Sequence, residues 1–130
     1  MSISALDDFK FEKDWNRWVA TAHGEDFDLA VPDDNGRPLQ SAISLLDRAL
    51  LNRDLIHRRA HEYINAFCAA SDPELKRMPE IVELSVARYG STLRVYISLH
   101  YGHDRYGGTW SVGFNQIEPN DCFAVSFMRE

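Results

Sequence analysis

From Thr92 to Tyr101 the chain reads TLRVYISLHY: Leu93, Val95, Ile97, Leu99 and Tyr101 alternate with Thr92, Arg94, Tyr96, Ser98 and His100. A period of two sends alternate side chains to opposite faces of an extended strand, so the segment requires a sheet with one apolar face and one wetter face. Neighbouring segments carry the same pattern. In EIVELSVARY, Val82, Leu84 and Val86 share a face, and Gly90-Ser91 then turns the chain. Further on, Trp110, Val112 and Phe114 alternate, Pro119-Asn120 turns, and Phe123, Val125 and Phe127 alternate toward the end.

A half-buried sheet needs cover, and the middle of the chain supplies it. In LQSAISLLDRALL, Leu39, Ala42, Ile43, Leu46 and Leu50 form one helical stripe, and Ile56, Ala60, Tyr63, Ile64 and Phe67 form the next. Asn52 is expected to cap the second helix, with Asp54 in its first turn; one long kinked helix fits the same residues. Ser71-Asp72-Pro73 stops the pattern. Upstream, FEKDWNRWVATA fits either a helical stripe or a strand. The turn-like His23-Gly24-Glu25-Asp26 and the alternating Phe27, Leu29 and Val31 favour a hairpin of Trp15–Ala22 with Phe27–Val31. As a strand this would point Trp15 and Trp18 to opposite faces, leaving one of them outside the core. Residues 1–10 read as a loose lead-in. The expectation is a single α+β domain over residues 1–130. It is a two-layer sandwich of order ββ-αα-ββββ, with a mostly antiparallel sheet and helices on one face.

A chain of 130 residues, 45% hydrophobic, suits one core. No apolar run approaches the ~18 residues that cross a bilayer, so no membrane partner is expected. MSISALDDFKFEK has neither a basic region nor an apolar one of the secretory kind. The two cysteines, Cys68 and Cys122, are too few for a disulfide scaffold and match no zinc spacing; reduced thiols in a cytoplasmic protein are the expectation.

The net charge of −6 is unevenly placed. The first 34 residues hold nine acids, including Asp26, Asp28, Asp33 and Asp34, against the three bases Lys10, Lys13 and Arg17, and the remainder is balanced. Such a chain repels phosphate backbones, which argues against nucleic acid, and attracts a basic protein. The same charges also suit a plain solvated face.

HYGHDRYGGTWSVGF, residues 100–114, concentrates the residues able to do chemistry. His100 and His103 could chelate a metal, and His103 with Asp104 could be a general base and its orienter. His57 and His61, four apart on a helix, share a face and could add ligands. No nucleophile motif, phosphate loop or cofactor motif accompanies them, so no enzyme and no cofactor is expected. Tyr101, Tyr106 and Trp110 bracketing Gly102, Gly107 and Gly108 read more simply as an aromatic hairpin. The alternative, a small metal-binding or hydrolytic enzyme using His100, His103 and Asp104, stays open.

Trp15 with the acidic hairpin, LLDRALLNRDLIHRRAHEYI and the closing YGGTWSVGF resemble a set of uncharacterised small bacterial domains. Those domains end in a strand, an aromatic-Gly-Gly-His loop and a strand, and some are similar to immunity proteins that neutralise toxins of neighbouring cells. Thr109 stands where that pattern has histidine, so no catalytic residue is carried over. The resemblance implies an intracellular protein-binding module, an immunity protein against a basic toxin in its most specific form. Its expected contact residues are Asp26, Asp28, Asp33, Asp34, Trp15 and Tyr106. Either a monomer or a homodimer is expected, the latter joined at an exposed edge strand over Phe123–Phe127.

Overall fold

The computed structural model describes residues 9–22, 25–68, 73–102 and 108–129. Its elements, in chain order, are β1 (Lys10–Glu12), β2 (Arg17–Thr21), β3 (Asp28–Pro32), α1 (Gln40–Leu51), α2 (Arg53–Cys68), β4 (Glu80–Tyr89), β5 (Thr92–His100), β6 (Trp110–Glu118) and β7 (Asp121–Arg129). The strands form one seven-stranded sheet in sequence order, from β1 at one edge to β7 at the other. Every neighbouring pair is antiparallel except β3 with β4. A parallel pair needs a crossover, which α1 and α2 supply. The α+β class is as expected. The sheet has one strand more than the six expected, because β1 lies partly in the segment read as a loose lead-in.

One apolar cluster joins Ala42, Ile43, Leu46, Ile56, Ala60 and Ile64 of the helices to Leu29, Val31, Leu84, Val86, Val95, Ile97, Leu99, Val112 and Phe114 of the sheet. The strand members share one face by register: Leu29 lies beside Leu84, Leu84 beside Ile97, and Ile97 beside Val112. The opposite parity carries Arg17, Asp28, Glu83, Arg94 and Tyr96, a face with no helix over it among the described residues.

Four local readings change, each for a physical reason. Trp15 is not in a strand. It ends a 3-10 turn over Lys13–Trp15, after which Asn16 adopts a left-handed conformation at φ 49°, so β2 starts only at Arg17. Val82 does not share a face with Leu84. A bulge between Ile81 and Glu83 shifts the alternation and leaves Val82 exposed. A second bulge at Val125 breaks the Phe123–Val125–Phe127 alternation, so Cys122 and Ala124 face inward while Phe123 is exposed. Asn52 interrupts the helices for a single residue, but its side chain donates back to the Arg48 carbonyl at 3.0 Å instead of capping α2. Its own carbonyl accepts from the Ile56 amide.

Cys68 is half-buried and Cys122 buried, and burial pushes each thiol above the ordinary range. No described helix is long and apolar enough to cross a membrane.

Candidate functional site: the helix-free face of the sheet

The 3-10 turn and the left-handed Asn16 lift Trp15 out of the sheet plane. Its side chain is 72% exposed, more than any other large apolar residue described. Trp18, three residues on, does the reverse. It packs against Phe11 with ring centroids 5.2 Å apart, and its indole N–H donates to Asp33 Oδ1 at 2.9 Å. One tryptophan is thus structural and the other is displayed.

Trp15 overhangs a cleft of about 240 Å³. Ala30, Ser85 and Ala87 line it from β3 and β4, and Asn16, Arg17 and Arg88 line its sides. Small residues on three adjacent backbone positions make the hollow, and Ala30 is buried at its base. Arg17 lies 6.0 Å from the Trp15 ring centroid and is held by two carboxylates, Glu12 at 2.7 Å and Glu83 at 3.1 Å. Burial alone would lower the guanidinium's pKa; hydrogen bonds and charge from Glu12 and Glu83 outweigh it, so Arg17 stays protonated. Burial pushes the Glu83 carboxyl above its usual range, aided by Asp28 and Glu12 and opposed by Arg17. Arg88 donates to the Asp33 carbonyl at 3.1 Å. Next to it Tyr89 is 56% exposed, with the Arg94 guanidinium 3.6 Å from its ring centroid. Two displayed aromatics flanked by three arginines form a surface of the composition that binding hot spots favour.

The expected contact residues divide. Asp33 and Asp34 lie at the Trp15 end of β3, since Arg17 pairs with Pro32. There Asp33 is committed: its carboxylate takes the Trp18 indole and the Gly36 amide. Asp26 and Asp28 are exposed at the other end of β3, with Glu80 and Glu83 of β4 nearby. Asp28 and Asp33 are five positions apart, a span of about 16 Å at ~3.3 Å per residue. The four aspartates therefore make two groups, one at each end of β3, instead of one patch. Tyr106, His103 and Asp104 lie outside the described residues.

The remaining histidines of the metal reading bind backbone. His57 Nε2 donates to the Pro79 carbonyl at 2.8 Å and His100 Nδ1 to the Gly108 carbonyl at 3.1 Å. His61 Nε2 lies 3.1 Å from the Lys76 carbonyl. A carbonyl only accepts, so in the neutral ring Nε2 carries the hydrogen and Nδ1 accepts the Tyr101 hydroxyl at 2.8 Å. His57 and His61 thus tie α2 to the segment entering β4. Among the described residues no three His, Cys, Asp or Glu side chains cluster to hold a metal.

Burial places His61 below the ordinary histidine range, with His57 pushing the same way against the Lys76 carbonyl and Glu62. The unfolded chain then binds the proton more readily. Stability from the neutral ring is complete above the unfolded value of about 6.5 and is lost as pH falls through the lower folded value. Between about pH 7 and about pH 5 the urea midpoint of the wild type should therefore drop, and that of His61→Gln should drop less.

The cleft, Arg88 and Tyr89 were not foreseen from sequence. A signal existed: Arg17 and Glu83 take opposite parity to the half-buried Trp18 and the buried Leu84, which puts an ion pair on the sheet's far side. No protein-family model, no curated protein and no solved structure matches this chain.

Proposed function

We propose that the domain is an intracellular protein-binding module whose contact surface is the helix-free face of the sheet, with Trp15 at its centre. The observation that carries this reading is the 72% exposure of Trp15 on the rim of a cleft, in a chain that buries or half-buries its other two tryptophans. Tyr and Trp with Arg are the residues that anchor protein interfaces. The groups around the cleft are suited to docking more than to chemistry. Arg17 is neutralised by two carboxylates, and among the described residues Ser85 is the only hydroxyl lining the cleft, with no imidazole beside it.

The favoured partner is a basic protein, and a toxin neutralised by an immunity-like inhibitor is its most specific form. The net charge of −6 supplies long-range attraction, and exposed Asp28 shares the helix-free face with the aromatic centre. Rim charges act mainly on the association rate and its salt dependence, whereas a desolvated aromatic centre acts on dissociation.

Paired baits test this. Wild type, Trp15→Ala and the double variant Asp26→Lys/Asp28→Lys are used to capture proteins from the native host. A basic protein held by the wild type should be lost by Trp15→Ala. The charge-reversed bait should bind it more slowly, by about tenfold at low salt, with a shallower salt dependence. The reading is wrong if every protein captured by the wild type is captured equally by both variants. For the toxin form, co-expression should relieve growth inhibition by the captured protein.

A further inference from the structure

We infer that β7 is a self-pairing edge, through which two copies of the chain join their sheets in an antiparallel β7–β7 contact. The two edges of the sheet differ sharply. β1 is three residues long and opens on Lys10, a short, charged edge of the kind that resists pairing. β7 is nine residues long and, among the described residues, pairs only with β6. Between Asp121 and Arg129 it has neither charge nor proline, and Phe123, Val125 and Met128 are 63%, 41% and 60% exposed. Of the usual edge protections, the described residues supply only the bulge at Val125.

The occupant must be an extended strand, because an edge offers a row of backbone donors and acceptors at strand spacing. A second β7 fits better than an arbitrary strand because its faces match. Val125 is the extra residue of a bulge, so Cys122, Ala124, Phe127 and Arg129 face the helices while Phe123, Ser126 and Met128 face away. An antiparallel dyad between Val125 and Ser126 places Phe123 opposite Met128 of the second copy, both on the helix-free side. It also places Ala124 opposite Phe127 of the second copy, both on the helix side. The bulges of the two copies meet, so every pair keeps its face.

The helix layer agrees. A groove of about 230 Å³ runs between α2 and this edge, lined by Arg59, Glu62, Tyr63, Phe123 and Ala124. The Nε of Arg59 is buried with no hydrogen-bond partner. Phe67 of α2 is 64% exposed above Phe127, with ring centroids 5.6 Å apart. A second copy at β7 covers these groups together.

Light scattering across a dilution series tests the contact. The wild type should weigh as a dimer at high concentration and shift toward monomer on dilution. Val125→Lys and Met128→Lys, at exposed positions, should each weaken dimerisation at least about tenfold while circular dichroism and melting stay native. A wild type that is monomeric at every concentration overturns the inference, as does a dimer undisturbed by both variants. Register is read from Phe123→Cys/Met128→Cys under mild oxidation. These positions, five residues apart on one strand, cannot bridge within a chain. A covalent dimer beyond that of the wild type, which keeps its own Cys68 and Cys122, supports the dyad; the absence of such a dimer overturns it.

Discussion

Trp110→Ala is expected to lower the free energy of unfolding by about 3–5 kcal/mol, the usual range for removing a large buried aromatic. Trp110 is 4% exposed at the start of β6. Its ring meets Tyr101 edge-on at 6.3 Å and Phe127 at 5.7 Å, with the Arg129 guanidinium 4.9 Å from its centroid. From Phe127 the contacts pass to Tyr63 and Phe67 of α2, and from Tyr101 to His61. Truncation therefore opens a cavity where the helix layer meets β5, β6 and β7, and no neighbour on the rigid sheet can collapse into it. Domains of this kind have about 5–15 kcal/mol in total, so the variant should be near its limit at physiological temperature. Urea midpoints at constant slope measure the change. His100→Ala removes the hydrogen bond to the Gly108 carbonyl and should cost only about 0.5–1.5 kcal/mol. The reverse ranking would mean that the loop, and not the aromatic base of the hairpin, holds this end of the molecule.

Trp15→Ala should do the opposite of Trp110→Ala. Its ring has left the sheet plane and is mostly solvated, so stability should change by no more than about 0.5 kcal/mol. Partner affinity should fall about 30-fold or more, the effect of removing a hot-spot side chain worth at least about 2 kcal/mol. Most of the loss should appear in the dissociation rate, because Trp15 contributes desolvated contact area and no charge. Titration of the purified partner into wild type and variant measures both quantities. A variant that loses stability and affinity together would place Trp15 in the fold instead of the interface.

Periodicity carried most of the architecture. Leu93 through Tyr101 mark β5 because one face of that strand is buried at Val95, Ile97 and Leu99 and half-buried at Leu93, and the α1 stripe survives in Ala42, Ile43 and Leu46. Periodicity failed wherever one residue was inserted. Val82 and Val125 are apolar and fit the alternation on either side, so nothing in their chemistry marks them as bulges; only the partner strand's register does. Asn52 failed differently, since an amide that can cap forward can also donate back to the carbonyl four residues earlier. For the site, the expectation of one displayed tryptophan held, but through the left-handed Asn16 and not through strand alternation. The acidic residues were legible as a charge excess, yet their division between the two ends of β3 follows from strand geometry that composition does not contain.

The contact surface is tested most directly by placing a photoreactive tryptophan analogue at position 15, and in a second chain at Ser44, exposed on α1. Both chains are irradiated in the native host. A covalent adduct to a basic protein should form from position 15 and not from position 44. Adducts from position 44 alone, or none from position 15 while the unmodified chain still captures a partner, would contradict a partner seated on the helix-free face.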